Sequence, residues 1–293
     1  MARNKGRQDH LISSAPFVSE ELDIYLETAD DFAFELKCFA AVKELGFQCT
    51  HGGSYIDRIT EKPRQYDIRA QALSDKFQVR CAIECKNIPA SHPVLVCCTP
   101  RVADEAFHDL ILAWQSGDNP WSMLGDRRQC IVYPAEGMRY PCDGPVGKDI
   151  KRVARTAEPA EYSAASGDVF DAWSQALASA EGLVKIAAAD GMRYLARTLT
   201  LVLPIVVVPD DALWVVEFDG NGHRNEPVLS HGCAFYVGHR CDTGDNSVVR
   251  LTHIEFVTLS GLCHMLANVL SDDRHLWFPN TNVSVAATQG PTP

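Results

Sequence analysis

The stretch Tyr66-Asp67-Ile68-Arg69-Ala70, followed by Cys81-Ala82-Ile83-Glu84-Cys85-Lys86, decides how this chain is expected to fold. Apolar and polar residues alternate in both segments, which is the pattern of β-strands whose two faces meet different surroundings. The residues Ser74-Asp75-Lys76 lie between the two runs and can close a hairpin. If the strands pair, Asp67 and Glu84 share one face near the same end of the sheet.

The second strand carries the clearer signal, because its alternation continues from Phe77 to Cys85. One face is wholly apolar and consists of Phe77, Val79, Cys81, Ile83 and Cys85. The opposite face carries Gln78, Arg80, Ala82, Glu84 and Lys86. A wholly apolar face indicates a strand in the middle of a sheet. Glu84 and Lys86 would then lie at the end of a core strand.

A helical pattern precedes the strands, from about Ser19 to Gly46, and Asp30 and Asp31 offer N-cap chemistry within it. Glu35 lies on or beside the apolar side of this helix. Its neighbours three, four and seven residues further on are Cys38, Phe39 and Val42. A carboxylate in this position is either a boundary residue that reaches water or an arginine, or a group with a function.

Acidic groups therefore converge on one part of the predicted sheet. A solvated outer face is the ordinary explanation of such polar alternation, and it stays open at this point. Acids that meet at a core sheet without matching bases are costly unless a cation neutralises them. Hard oxygen ligands select Mg²⁺ or Mn²⁺, which makes Glu35, Asp67 and Glu84 candidate ligands beside Lys86.

Glu35 in a first helix, Asp67 in a strand and Glu84-Cys85-Lys86 in the next strand resemble the PD-(D/E)XK nuclease superfamily, in particular its restriction-endonuclease-like members. The resemblance covers roughly the first 130 residues and rests on order, spacing and strand alternation together. It implies an α/β fold with an αβββαβ core around a mixed central sheet. Tyr66 stands where the family often has proline, and no Gln-x-x-x-Tyr extension follows in the next helix.

The resemblance also implies roles for individual residues. Asp67 and Glu84 would bind Mg²⁺ or Mn²⁺, with the backbone carbonyl of Cys85 and the carboxylate of Glu35 as further ligands. Lys86 would orient or deprotonate the attacking water, or stabilise charge on the phosphate, while the Cys85 side chain points into the core. The implied activity is that of a metal-dependent endonuclease acting on DNA, with RNA as an alternative substrate and antiviral defence as a family association.

A second class of function stays open beside the enzyme. The chain could be a nuclease-fold regulatory or binding subunit that works within a partner complex or as a homo-oligomer, with little activity alone. Its net charge of −11 argues against broad electrostatic adhesion to nucleic acid, which suits a protein-binding surface.

Local charge around the predicted site has the opposite sign. Between Asp57 and Arg101 there are eight Lys or Arg and five Asp or Glu, a local charge of +3. The candidate phosphate contacts are Arg58, Lys62, Arg64, Arg69 and Arg80. Chance clustering on a solvated loop is the alternative for each of them.

The remaining elements are predicted from periodicity and turn residues. They are a strand at Val94–Cys98, a helix at Ala103–Trp114, a strand at Gln129–Tyr133, a loop over 134–150, a helix from Asp168 to Ala189, strands at Thr198–Val208, Leu213–Phe218, Ala234–Val237 and Val248–Phe256, and a helix at Leu259–Leu270. We expect disordered ends over 1–16 and 280–293, a nuclease core over 17–135, and an α/β elaboration over 136–279 packed on that core in the same domain.

The eleven cysteines are scattered and odd in number, which predicts reduced thiols in a cytoplasmic protein. The first residues contain no apolar segment of the kind found in signal peptides, and Leu199–Val208, the longest apolar run, is too short to span a bilayer. We therefore expect no membrane partner. Two His-x-Cys pairs, His231/Cys233 and His239/Cys241, leave a zinc site open, although their spacing is unlike that of common zinc sites.

Overall fold

The computed structural model describes residues 15–28, 30–56, 61–74, 76–116, 127–155, 162–165, 167–189, 198–243 and 247–278. The predicted disordered ends, 1–16 and 280–293, lie outside these ranges apart from Ala15 and Pro16.

Within the described residues the chain forms five α-helices and fifteen β-strands. The helices are α1 Ser19–Thr28, α2 Phe32–Glu44, α3 Gly167–Ala189, α4 Leu259–Val269 and α5 Arg274–Trp277. The strands of the first half are β1 Gln48–His51, β2 Ser54–Ile56, β3 Pro63–Gln65, β4 Ile68–Ser74, β5 Phe77–Cys85, β6 Val94–Pro100, β7 Phe107–Ser116 and β8 Arg127–Glu136. The strands of the second half are β9 Pro145–Arg155, β10 Tyr162–Ala165, β11 Thr198–Val208, β12 Leu213–Glu217, β13 Val228–Leu229, β14 Gly232–Asp242 and β15 Val248–Thr258.

Thirteen of these strands form one mixed sheet, so the predicted α/β class with a mixed central sheet is confirmed. The order across the sheet is β1-β4-β5-β11-β15-β14-β9-β6-β12-β13, with β10 beside β9 and β7 joining β8 to β11. Strands β5, β11 and β15 run parallel to one another, and β4 lies antiparallel to β5. Strands β2 and β3 pair separately as a short two-stranded sheet.

The predicted hairpin is present. Strands β4 and β5 pair in the register Ile68↔Ile83, which places Asp67 and Glu84 as the next opposing pair at the end of the ladder. Strand β5 lies between β4 and β11 and is buried on both faces, as the apolar pattern predicts for a central strand. The two carboxyl groups therefore meet where a central strand ends.

Helices cover both faces of the sheet. On one face α2 inserts Phe34, Cys38 and Val42 into a core that continues into α4 and α5. On the other face the small residues of α3 pack on β5 and β11, with Ala180 and Val184 beside Ala82. None of the helices in the described ranges has the length and apolar content that a bilayer crossing requires.

The predicted helix at Ala103–Trp114 is wrong. A short 3₁₀ helix, Ala103–Glu105, is followed by strand β7, which pairs with β8 along its whole length. Leu110 belongs to one core cluster and Ile111 to another, so adjacent apolar residues of this strand face opposite cores. A short strand buried on both faces and a buried helix share such an apolar pattern, and periodicity does not separate them. The predicted loop over 134–150 is too long, because β8 ends at Glu136 and β9 begins at Pro145, which leaves only 137–144 between the strands.

The predicted arrangement of the core needs a further correction. Strand β6 belongs to the same sheet, but β11, β15, β14 and β9 separate it from β5. The parallel neighbour of β5 is β11, which follows helix α3 in the chain. The second half of the chain, predicted as an elaboration, thus supplies central strands, and residue 135 is no boundary within the sheet. The predicted strands and helices after Asp168 are all present. Strand β14, Gly232–Asp242, is much longer than the predicted Ala234–Val237, and the other elements differ by at most two residues at their ends.

Candidate active site

The predicted site lies at the carboxyl end of β5, between β4 and β11. Glu84 is the residue before Cys85, which ends β5. Asp67 directly precedes β4, the strand that pairs with β5. Strand pairing positions both groups, because the hairpin fixes their register.

Glu84 is fully buried, with a relative exposure of 0%. Neither of its carboxyl oxygens has a well-formed hydrogen-bond partner among the described residues. Burial and, after it, the charge of Asp67 raise the pKa of Glu84 to about 10. The folded chain therefore holds Glu84 in its neutral form at pH 7. Burying a carboxyl group without a hydrogen-bond partner destabilises the fold, which indicates that the group has a function.

Asp67 is half-buried and turns back across the end of the hairpin. Its Oδ2 accepts a hydrogen bond of 2.7 Å from the backbone N–H of Cys85. Burial raises the pKa of Asp67, although the Cys85 N–H and the charge of Lys86 act in the opposite direction. The hydrogen bond fixes the carboxyl group beside the residues that follow β5.

Glu35 enters the site from the first turn of α2. Its Oε2 lies 3.1 Å from Nε2 of His51 on β1, and the His51 ring rests against the rings of Phe32 and Phe39. Burial and then the charge of Asp67 raise the pKa of Glu35, whereas the His51 hydrogen bond lowers it. Glu35 is thus a half-buried carboxyl group held by a histidine, and no sequence pattern predicted that histidine.

Lys86 forms an ion pair that the sequence did not predict. Its Nζ lies 2.7 Å from Oδ2 of Asp31, whose Oδ1 accepts the backbone N–H of Asn87 at 2.7 Å. Asp31 makes no side-chain hydrogen bond to cap α2, which was the role predicted for it. Burial lowers the pKa of Lys86, but the hydrogen bond and charge of Asp31 outweigh burial and raise it, so the ammonium group stays charged.

The donor chemistry of the site fits a hard divalent cation. Asp67, Glu84 and Glu35 influence one another's pKa through their charges, and Glu84 offers two buried oxygens without partners. In the described ranges, no three His, Cys, Asp or Glu side chains are already gathered in a metal-binding arrangement. Side-chain movement, or loss of the Glu84 proton, would accordingly accompany binding of a metal.

Cys85 has the side-chain position that alternation predicts. Its thiol is fully buried in the core beneath α2, next to Cys38. The role assigned to its backbone carbonyl as a metal ligand stays a prediction.

Two of the five candidate phosphate contacts require correction. The Arg69 guanidinium reaches α3, where Nε and Nη2 each donate a 3.1 Å hydrogen bond to Ser179, to its hydroxyl and its carbonyl oxygen respectively. Arg80 is buried and donates to the Gln78 side chain at 3.2 Å. Helix α3 covers this face of the sheet, so the Arg80 side chain is buried and the guanidinium of the half-buried Arg69 is engaged by Ser179.

The other three candidates differ in position. Lys62 and Arg64 are exposed, and Arg64 lies on β3. Arg58 lies outside the described residues. Phosphate binding by the two exposed side chains stays a prediction.

The four residues of the possible zinc site do not converge. Their neighbours are Ser260 for His231, Cys98 for Cys233 and Glu181 for His239, while Cys241 is fully buried in a core cluster. The described residues therefore give no support for zinc at the two His-x-Cys pairs.

A comparison with protein-family models, with curated proteins and with solved structures finds no match for this chain. The residues and their geometry thus provide the grounds for assigning a function.

Proposed function

We propose that the chain is a metal-dependent nuclease that hydrolyses phosphodiester bonds in DNA. The observation that carries this proposal is the buried, unpartnered carboxyl group of Glu84, which shares the end of β5 with Asp67, Glu35 and Lys86. Three carboxyl groups and a charged lysine at the end of a central strand are chemically suited to a cation and a phosphate.

The order of elements also supports the proposal. Helix α2, strands β1, β4 and β5, helix α3 and strand β11 follow one another in the αβββαβ order of the PD-(D/E)XK superfamily. Strands β2 and β3 interrupt this series once, and β6 to β10 interrupt it again between β5 and α3. We propose a restriction-endonuclease-like core composed of these six elements.

The chain's own groups have distinct tasks in this proposal. Asp67, Glu84 and Glu35, with the Cys85 carbonyl, would hold Mg²⁺ or Mn²⁺, and Glu84 would release its proton when it becomes a ligand. The bound cation would lower the pKa of a coordinated water and offset charge on the phosphate. Lys86 is charged beside Asp31, so it is better suited to stabilising negative charge on the phosphate than to removing a proton.

An alternative is a nuclease-fold subunit that becomes active only within a partner complex. The ion pair between Lys86 and Asp31 favours this alternative, because the Lys86 ammonium group is already bound to Asp31 in the isolated chain and is not free to contact a phosphate. The burial of Arg80 and the hydrogen bonds of Arg69 to Ser179 favour it too, since a chain with a net charge of −11 then has fewer basic groups with which to hold DNA.

Cleavage of single- and double-stranded DNA and RNA with Mg²⁺, Mn²⁺ or EDTA tests the proposal. We expect metal-dependent cleavage of DNA that falls by about 100-fold or more in Glu84→Gln and Lys86→Ala. The matched controls are Glu44→Gln and Lys37→Ala, both exposed on α2, which should cleave as the parent chain does.

Unchanged cleavage by Glu84→Gln and Lys86→Ala would overturn the site assignment. If the isolated chain cleaves nothing, yet Mg²⁺ raises its melting temperature only when Glu84 is intact, the partner-dependent alternative is supported instead.

A further inference from the structure

Two thiols from distant parts of the sequence meet on the sheet, away from the proposed nuclease site. Cys98 on β6 and Cys233 on β14 place their sulfur atoms 3.4 Å apart, at hydrogen-bonding distance. Strand β9 lies between β6 and β14 in the sheet, so these side chains would ordinarily be two strand spacings apart. A local feature of β9 must therefore allow the contact.

That feature is Gly147. It is the residue of β9 that pairs with both Cys98 on β6 and Phe235 on β14. A Cβ added to Gly147 would lie 2.7 Å from the Phe235 ring and 2.8 Å from Cγ1 of Val96, so only glycine fits without movement of the neighbouring strands. The β6–β9 register also shifts by one residue after Cys97, which is a bulge at this point of the ladder.

We propose that Cys98 and Cys233 form a dithiol that hydroperoxides convert reversibly into a disulfide, a covalent modification site independent of the proposed nuclease activity. All cysteines of the described residues are free thiols in this structure. The sulfur atoms lie 3.4 Å apart, and closing this distance to the roughly 2 Å of a disulfide requires β6 and β14 to move towards each other across Gly147, where β9 carries no side chain.

The environment of the pair suits oxidation. A hydrogen bond from the Cys233 thiol lowers the pKa of Cys98, against the effect of burial, and the charge of Arg101 acts in the same direction as the hydrogen bond. Cys233 is the half-buried member and Cys98 the fully buried one. The same hydrogen bond, followed by burial, raises the pKa of the Cys233 thiol well above its usual range, so Cys98 is the member of the pair that favours the thiolate form and can accept the Cys233 proton.

The reaction balances with a hydroperoxide as the oxidant. With hydrogen peroxide, the Cys233 sulfur attacks one peroxide oxygen while its proton passes to the Cys98 thiolate, the O–O bond breaks, and protonation of the departing oxygen gives water and a sulfenic acid on Cys233. The Cys98 sulfur then attacks the Cys233 sulfur, the S–S bond forms, the S–O bond breaks, and hydroxide leaves with the Cys98 proton as water. Two thiols are oxidised by two electrons and one peroxide is reduced to two molecules of water.

Other cysteines provide internal references. Cys38 on α2 and Cys85 on β5 also lie side by side, but both are fully buried, so neither thiol of this pair is accessible to an oxidant. Cys142 is exposed and can be oxidised, but its sulfur contacts the backbone carbonyl of Arg101. The structure predicts a selective cross-link between Cys98 and Cys233.

The test uses the full chain treated with hydrogen peroxide, alkylated with iodoacetamide, digested without reduction and mapped by mass spectrometry. We expect a linked peptide pair containing Cys98 and Cys233, about 2 Da lighter than the sum of its thiol peptides and released by dithiothreitol. We also expect the melting temperature to rise by roughly 5–10 °C, because the bond closes a long loop. Cys142→Ser is the matched control and should keep both effects.

Recovery of Cys98 and Cys233 as separate alkylated or singly oxidised peptides, under conditions that oxidise Cys142, would overturn the proposal. The peptide map of the unaltered chain decides this without any variant. In Cys233→Ser and in Cys98→Ala, a peroxide-induced rise in melting temperature that persists would also contradict it.

Discussion

Glu84 is a carboxyl group that the fold holds in its neutral form. Its pKa is about 10 in the folded chain, against an ordinary value of 4.5 that applies when the chain unfolds. Between these two pH values the folded state binds more protons than the unfolded state, so the free energy of unfolding falls as pH rises. Below pH 4.5 the carboxyl group is protonated in both the folded and the unfolded state, so Glu84 no longer makes the free energy of unfolding depend on pH.

We therefore predict that Glu84→Gln is more stable than the parent chain at neutral and alkaline pH. Glutamine keeps the size of the side chain and stays neutral at every pH. The difference in unfolding free energy should grow with pH by up to about 1.4 kcal/mol per unit, measured by urea unfolding at pH 5, 7 and 9. Glu44→Gln serves as the exposed control, and a difference that does not change with pH would contradict the assignment.

Asp31 sets the ionisation of Lys86 through the ion pair that joins them. Since Asp31 raises the Lys86 pKa and burial lowers it, Asp31→Asn should lower that pKa. The pH dependence of Lys86 labelling by an amine-selective reagent, followed by mass spectrometry, reports this shift without requiring any enzymatic activity.

Asp30→Asn is the matched control for this experiment. The Asp30 side chain accepts the N–H of Phe32 and makes no described contact with Lys86. An Asp31→Asn labelling profile that coincides with the profile of Asp30→Asn would show that the ion pair does not govern the lysine.

At the scale of secondary structure, Arg69 joins the hairpin to helix α3. Its two hydrogen bonds end on Ser179, and its guanidinium lies over the Tyr66 ring at 4.4 Å. Gly182 lies one turn further along the helix, where an added Cβ would stand 2.9 Å from Arg69 Nη2. The absence of a side chain at Gly182 leaves room for the guanidinium.

This arrangement predicts a change of sign in a double-mutant cycle. Gly182→Ala should destabilise the parent chain, because the new methyl group meets Arg69, and should stabilise an Arg69→Ala background by about 1 kcal/mol through helix propensity. Arg69→Ala alone should cost about 1–3 kcal/mol, since it leaves polar groups of Ser179 unpaired. Urea unfolding of the four proteins measures the cycle.

Gly167→Ala, at the start of the same helix, is the control, because an added Cβ there meets nothing within 4 Å. Its effect should be equal with and without Arg69. A Gly182→Ala effect that is likewise equal in both backgrounds would rule out the predicted contact.

At the scale of the whole molecule, both halves of the chain form one sheet. Nine residue pairs join β5 to β11, and α3 covers the face between them. A fragment limited to residues 17–135, the core expected from the sequence, would expose one edge of β5 and the apolar groups beneath α3.

We predict that residues 17–135 do not fold cooperatively, whereas residues 15–278 do. Circular dichroism during thermal unfolding measures this difference, with the longer fragment as the control. A sharp transition in the shorter fragment would mean that the second half is an elaboration on an independent core.

The sequence by itself determined the local features of this protein. Alternation over β4 and β5 predicts the hairpin and the shared end of Asp67 and Glu84, because a period of two is a property of neighbouring residues. Helical spacing likewise predicts the half-buried position of Glu35, and strand alternation predicts the buried thiol of Cys85.

Tertiary structure alone decided which distant elements meet. Strand β11 lies beside β5, α3 covers Arg69 and Arg80, and the Lys86 ammonium pairs with a residue preceding α2. Contacts between residues far apart in sequence leave no periodic signal, and the neutral form of Glu84 depends on burial by all of these elements together. The sequence therefore predicts the acidic groups and their side of the sheet, and the packing of the sheet and helices sets their charge and their partners.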